Sequence, residues 1–142
     1  DMCMYGADKV EGLPDDVHYF CNSGIDIDGI KFYGMPMFME YAMDGTYEQH
    51  IKDIPDDTDV LVTHQTPYGI LDGGEYKGQA SYHYGDYFLY TRVIDVKPKL
   101  HLFGHDHNAY GSIEQFGTAF SNAAVVDEHY KLKEIKYLTY KI

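Results

Sequence analysis

The residues of this chain best suited to chemistry are three histidines. His64 closes the apolar run Val60-Leu61-Val62-Thr63, and His105 and His107 lie in Gly104-His105-Asp106-His107, directly after Leu100-His101-Leu102-Phe103. Each run reads as a short buried strand, and in an open α/β sheet ligands bind in the crevice beyond the carboxyl ends of the strands. Neutral imidazole is the commonest side-chain ligand for metals, so three of them delivered to such an edge point to a metal-dependent hydrolase. Alternation along an extended backbone predicts that His105 and His107 face the same side, with Gly104 letting the strand break into a tight loop. Asp106 then points away from them and serves as a surface or supporting carboxylate, not a ligand.

Val-Thr-His-Gln-Thr-Pro-Tyr-Gly at 62–69, followed by Lys-Pro-Lys-Leu-His-Leu-Phe-Gly-His-Asp-His at 97–107, resembles the last two metal motifs of the calcineurin-like metallophosphoesterases, particularly their small single-domain members. The resemblance covers essentially the whole chain, which corresponds to the second half of that fold. The family's earlier motifs, an Asp-x-His, a Gly-Asp and a Gly-Asn-His-Asp or Gly-Asn-His-Glu, do not occur as a set ahead of His64, and Asp1 stands where the third would end.

This resemblance implies an α/β fold: the C-terminal half of a four-layer α/β-β/α sandwich with mixed sheets, as one domain over residues 1–142 that lacks its N-terminal half. It also implies hydrolysis of phosphomonoesters or phosphodiesters with two divalent ions, Mn, Fe, Zn or Ni. His64 and His105 would bind one ion and His107 the other, with upstream Asp, His and Asn completing the set. No residue of this chain takes a catalytic role by the resemblance, because the histidine that protonates the leaving group belongs to a missing motif. The chain alone is then expected to be inactive. Two alternatives stand beside this reading. One is a mononuclear zinc hydrolase with His64, His105 and His107 as three ligands plus water, as catalytic zinc sites allow. The other is a non-catalytic half-domain that binds a partner chain or a second copy of itself.

Composition narrows the classes. With 142 residues, 44% of them hydrophobic and 15% aromatic, the chain can build one core, and it shows no internal repeat. A net charge of −12 argues against a nucleic-acid surface, which needs clustered cations. The densest acidic run, Asp53 to Asp59, lacks calcium-loop spacing and reads as a solvated loop ahead of the next strand. Cys3 and Cys21 form no Cys-x-x-Cys pair and no disulfide framework, which suits a reduced, cytoplasmic setting. No apolar stretch approaches a membrane span, and the start lacks the pattern of a signal peptide. A chain opening on Asp1 is expected to have lost upstream sequence.

The elements that position the histidines follow from local pattern. Val17 to Cys21 reads as a strand, and Ile25–Ile27 and Ile30–Tyr33 flank Asp28-Gly29, a pair suited to a two-residue hairpin turn. Thr46 to Lys52 reads as a short helix and Asp59 to Thr63 as a buried strand. Tyr87, Phe88, Tyr90, Val93 and Ile94 recur at helical spacing before Pro98. Tyr110–Glu114, Thr118–Ser121 and Lys131–Tyr140 predict a mainly antiparallel C-terminal sheet, one of two in the implied sandwich.

Of the other histidines, His18 and His101 fall in strand candidates and read as packed or hydrogen-bonded, while His50, His83 and His129 fall in surface segments. Gln65, Thr66 and Pro67 are expected to wall the metal site, with Pro67 and Gly69 shaping the turn. The Gly- and Tyr-rich stretch from Tyr68 to Tyr90 supplies mobile backbone and aromatic faces. Tyr68, Tyr76 and Tyr82 are its candidates for contact with a small, nucleotide-like phosphoester.

Overall fold

Alternating apolar residues and well-placed turns build a single mixed sheet. The computed structural model describes residues 10–36, 39–73, 82–134 and 139–142. Strands β1 (Ser23–Ile27) and β2 (Ile30–Met35) form the expected hairpin. Its two turn residues, Asp28 and Gly29, both take positive φ, at 53° and 83°, the twist a two-residue connection needs. Two short helices follow, α1 (Met39–Asp44) and α2 (Tyr47–Lys52), and then β3 (Val60–Thr63). The chain continues through α3 (Tyr87–Val96), β4 (Leu100–Phe103), β5 (Gly111–Gln115) and β6 (Thr118–Asn122).

The sheet order is β1-β2-β3-β4-β6-β5. The four central strands, β2, β3, β4 and β6, run parallel, and β1 and β5 close the two edges antiparallel. Their carboxyl ends, Met35, Thr63, Phe103 and Asn122, therefore meet along one edge. Register explains the core. Tyr33, Met35, Leu61, Phe103 and Phe120 share one face and pack with Ile51, Ile54, Leu89 and Val93 from the α2 and α3 side. Burying a side chain such as Leu61 completely contributes about 1.5–3 kcal/mol. On the opposite face, Val60, Leu100 and Ser121 are buried and Phe32, Val62, Leu102 and Ala119 are half-buried.

Helix α3 starts where Asp86 caps it, its Oδ1 accepting from Leu89 N at 2.6 Å, worth about 1 kcal/mol for such a cap. It stops at Lys97, which takes φ 53° just ahead of Pro98.

Three expectations need correction. Val17–Cys21 is not a strand: Phe20 lies across Gly34, where an added Cβ would sit 2.2 Å from the Phe20 Cβ, so the segment packs over β2 instead of pairing with it. Lys131–Tyr140 is not a strand in its described part, where only Leu132 bridges to Val126; residues 135–138 lie outside the described residues. The C-terminal strands do not form their own antiparallel sheet, because β6 inserts between β4 and β5 and runs parallel to β4. Thr118 and Phe120 to Asn122 are all buried, and that central place yields more burial than an edge would.

Candidate metal centre

The ladder of the parallel strands carries on past their ends and sets the loops side by side. His64 N donates to Met35 O at 3.4 Å, Gly104 N to His64 O at 3.3 Å, and Ala123 N to Phe103 O at 2.7 Å. His64 and His105 consequently project from neighbouring loops, with His64 Nε2 and His105 Nδ1 only 3.1 Å apart and the rings edge-on. Two imidazole lone pairs repel at this distance unless a proton or a cation lies between them. With metal–nitrogen bonds of about 2.0–2.1 Å, two ligands on one ion sit about 2.9 Å apart at a right angle and about 3.3 Å apart at the tetrahedral angle. The observed separation falls between those values, so the pair fits a shared ion.

Burial pushes the His64 imidazole pKa down, and the nearby His105 and His107 push it the same way. Each influence favours neutral imidazole, the form that binds metal. His107 is thus close enough to act on His64. Its Nδ1 donates to the Asp127 carbonyl at 3.1 Å, which leaves the Nε2 lone pair for another partner, the usual orientation of a ligating histidine. Tyr130 stands edge-on to the His107 ring at 5.2 Å. Among the described residues, no group of three or more His, Cys, Asp or Glu is gathered tightly enough to hold an ion.

The turn at Gly104 is not made as expected. It is His105, at φ 68°, that takes the left-handed conformation; β4 has already ended at Phe103, so strand alternation does not aim His105 and His107. Histidine tolerates this region better than most residues but at a cost of about 1–3 kcal/mol, which the surrounding bonds must offset. Asp106 is buried, with Oδ1 accepting from Asn108 N at 2.8 Å; it holds the turn and is not a surface carboxylate. Asp106 Oδ2 is buried without a partner among the described residues.

Asn122, which the sequence reading missed, ties the edge together. Its Nδ2 donates to Asp106 O at 2.9 Å and Leu71 O at 3.0 Å, and its Oδ1 accepts from Ala124 N at 2.9 Å. The only local signal was a polar residue closing an apolar strand. Gln65, Thr66 and Pro67 are buried behind His64, and Gly69 takes φ 77°, as their turn-forming role requires. Tyr68 is exposed on that turn, Tyr82 packs edge-on to Tyr84 at 4.4 Å, and Tyr76 lies outside the described residues.

His101 is packed, as expected, with Nε2 2.9 Å from Thr63 Oγ1 and its ring between Phe103 and Phe120. Full burial pushes its pKa down to about 3. The acidic run ahead of β3 is a loop whose carboxylates meet cations: Asp57 with Lys31, Asp56 with Arg92 and Asp59 with Lys99. No helix among the described residues is long and apolar enough to cross a membrane.

A mixed sheet with parallel central strands, flanked by helices and bringing His64 and His105 together at one edge, defines the class of the protein as an α/β domain. Comparison places it within a family. The family model for calcineurin-like phosphoesterases matches residues 3–109, a range that includes all three histidines, and the chain belongs to that family. It is 33% identical over 134 residues to UPF0046 protein K07C11.7 of Caenorhabditis elegans, covering 83% of this chain and 43% of that protein. It is 30% identical over 132 residues to metallophosphoesterase domain-containing protein 1 of Homo sapiens, covering 87% of this chain and 40% of that protein. The chain thus spans less than half the length of these relatives. A solved crystal structure superposes with a TM-score of 0.51 at 12% identity, over 74% of this chain and 45% of the other, a likeness of fold alone.

Proposed function

We propose that the protein is a metal-dependent phosphoesterase, hydrolysing phosphomonoesters or phosphodiesters at a two-ion centre. His64 and His105 share one ion, His107 holds the second, and residues upstream of this chain complete both. The observation that carries this reading is the 3.1 Å approach of His64 Nε2 to His105 Nδ1. Family membership supports it.

When bound, divalent ions there supply a water of lowered pKa and offset the charge that grows on the phosphoryl oxygens. The chain's own residues keep the ligands ready. His64 is held neutral by burial, His107 is fixed in one tautomer by the Asp127 carbonyl, and Asn122 locks the turn that carries His105 and His107. The test is turnover of bis-p-nitrophenyl phosphate by the full-length protein with manganese. His105→Ala is expected to lower kcat/KM at least about 100-fold, since losing a ligand costs more than the 10- to 100-fold of a supporting residue. Unchanged turnover in His105→Ala contradicts the assignment.

A further inference from the structure

Asp72 is 2% exposed, yet its carboxylate has an outward-facing partner. Its Oδ2 accepts from Gly69 N at 2.8 Å and Gly85 N at 2.9 Å, which fixes the carboxylate rigidly, and its Oδ1 accepts from His83 Nδ1 at 2.8 Å. His83 itself is 44% exposed in its side chain. Donation from Nδ1 sets the tautomer and turns Nε2 outward as a hydrogen-bond acceptor, and Nε2 has no partner among the described residues. A buried carboxylate that orients an exposed imidazole is an arrangement that packing alone does not require.

The pair sits on the same edge as the candidate metal centre. Asp86 N donates to Thr66 O at 2.8 Å, Tyr68 N to Asp86 O at 3.0 Å, and Gln65 Nε2 to Tyr84 O at 3.0 Å. The segment carrying His83 therefore lies flat against the residues that leave His64. The approach is close: a Cβ added at Gly85 would lie 2.5 Å from the Pro67 carbonyl oxygen. The His83 ring rests 5.0 Å from the ring of Tyr68, which stands four residues after His64 and so within about 14 Å of it along the chain. Tyr87 adds a second exposed ring 6.1 Å from Tyr68.

Resting on the phosphoesterase reading above, we propose that His83, held by Asp72, is the residue that selects the organic group of the phosphoester. Its Nε2 accepts a hydrogen bond from a donor on that group, and the exposed ring of Tyr68 beside it offers a face to a flat ring. The substrate class is a phosphoester that joins a planar ring to a hydroxyl or imide donor.

The test uses the full-length protein and p-nitrophenyl thymidine 5′-phosphate, comparing His83→Ala, His83→Asn and His83→Gln. Asparagine places its amide where Nδ1 lies and can keep the bond to Asp72; glutamine places its amide where Nε2 lies and can keep the bond to substrate. Losing one hydrogen bond to a ligand is expected to raise KM about tenfold in His83→Ala and His83→Asn, with kcat within about twofold and His83→Gln restored to within about threefold. Rescue by asparagine but not glutamine, a fall in kcat at constant KM, or no change in any variant overturns the proposal. A second readout does not depend on turnover: thymidine 5′-monophosphate is expected to shift the His83 Nε2 resonance in nitrogen-15 spectra, and an unmoved resonance at saturation overturns the proposal. Failure of the unmodified protein to hydrolyse either ester counts against the phosphoesterase reading, and the spectra then decide the subsite.

Discussion

Acidification should weaken this fold through His101. The ring is fully buried between Phe103 and Phe120, and its pKa falls from 6.5 to about 3. Between those two values the unfolded chain takes up a proton that the folded chain refuses. The stabilisation is therefore complete above pH 6.5 and is lost as pH falls towards 3. The slope is about 1.4 kcal/mol per pH unit, so moving from pH 7 to pH 5 costs about 2 kcal/mol. That figure holds for any folded value well below 5. The measurement is urea unfolding followed by circular dichroism at both pH values, for the protein and for His101→Met. Methionine fills similar space without titrating, so the difference of the two pH effects isolates His101. Burial also raises the Asp86 pKa, an effect of opposite sign on acidification, but both proteins carry it and it cancels. An equal loss of stability in His101→Met would show that the buried ring is not the source and would refute the reasoning.

Further consequences follow from single side chains. Since His105 sits at φ 68°, His105→Gly should be about 1 kcal/mol more stable than His105→Ala while losing metal equally, as thermal unfolding and metal titration will report. Asn122→Ala frees the Leu71 and Asp106 carbonyls from their clamp and should destabilise by about 2 kcal/mol or more, with metal affinity down about tenfold in calorimetry. Asp86→Ala should cost about 1 kcal/mol by removing the cap on α3, measured by the same unfolding assay. Residues 1–142 alone should show no manganese-dependent turnover of bis-p-nitrophenyl phosphate, whereas a chain with roughly a hundred further upstream residues should be active; equal turnover from the short chain favours the three-histidine zinc alternative.

Local pattern was enough for the elements that carry the histidines. The unbroken apolar runs at 60–63 and 100–103 became β3 and β4, and the helical spacing from Tyr87 ended before Pro98 as α3. The resemblance implied the pairing of His64 with His105, and the parallel pairing of β3 with β4 sets the two side by side. What escaped notice depends on partners distant in sequence. The place of β6 is set by pairing with β4, and the roles of Asn122 and Asp106 by bonds across 16 residues. His83 lies at the surface as its segment suggested, but its bond to Asp72, 11 positions away, leaves no mark on its sequence neighbours. The Asp127 carbonyl that orients His107 is backbone, so no side-chain motif announces it.

Zinc-edge anomalous diffraction on crystals of the full-length protein grown with zinc addresses the shared ion directly. One peak is expected about 2.0–2.1 Å from both His64 Nε2 and His105 Nδ1. A second peak, on His107, is expected about 3.5–4 Å from the first. Persistence of the direct 3.1 Å contact between His64 and His105 at saturating zinc, with no density on either ring, would contradict the two-ion centre.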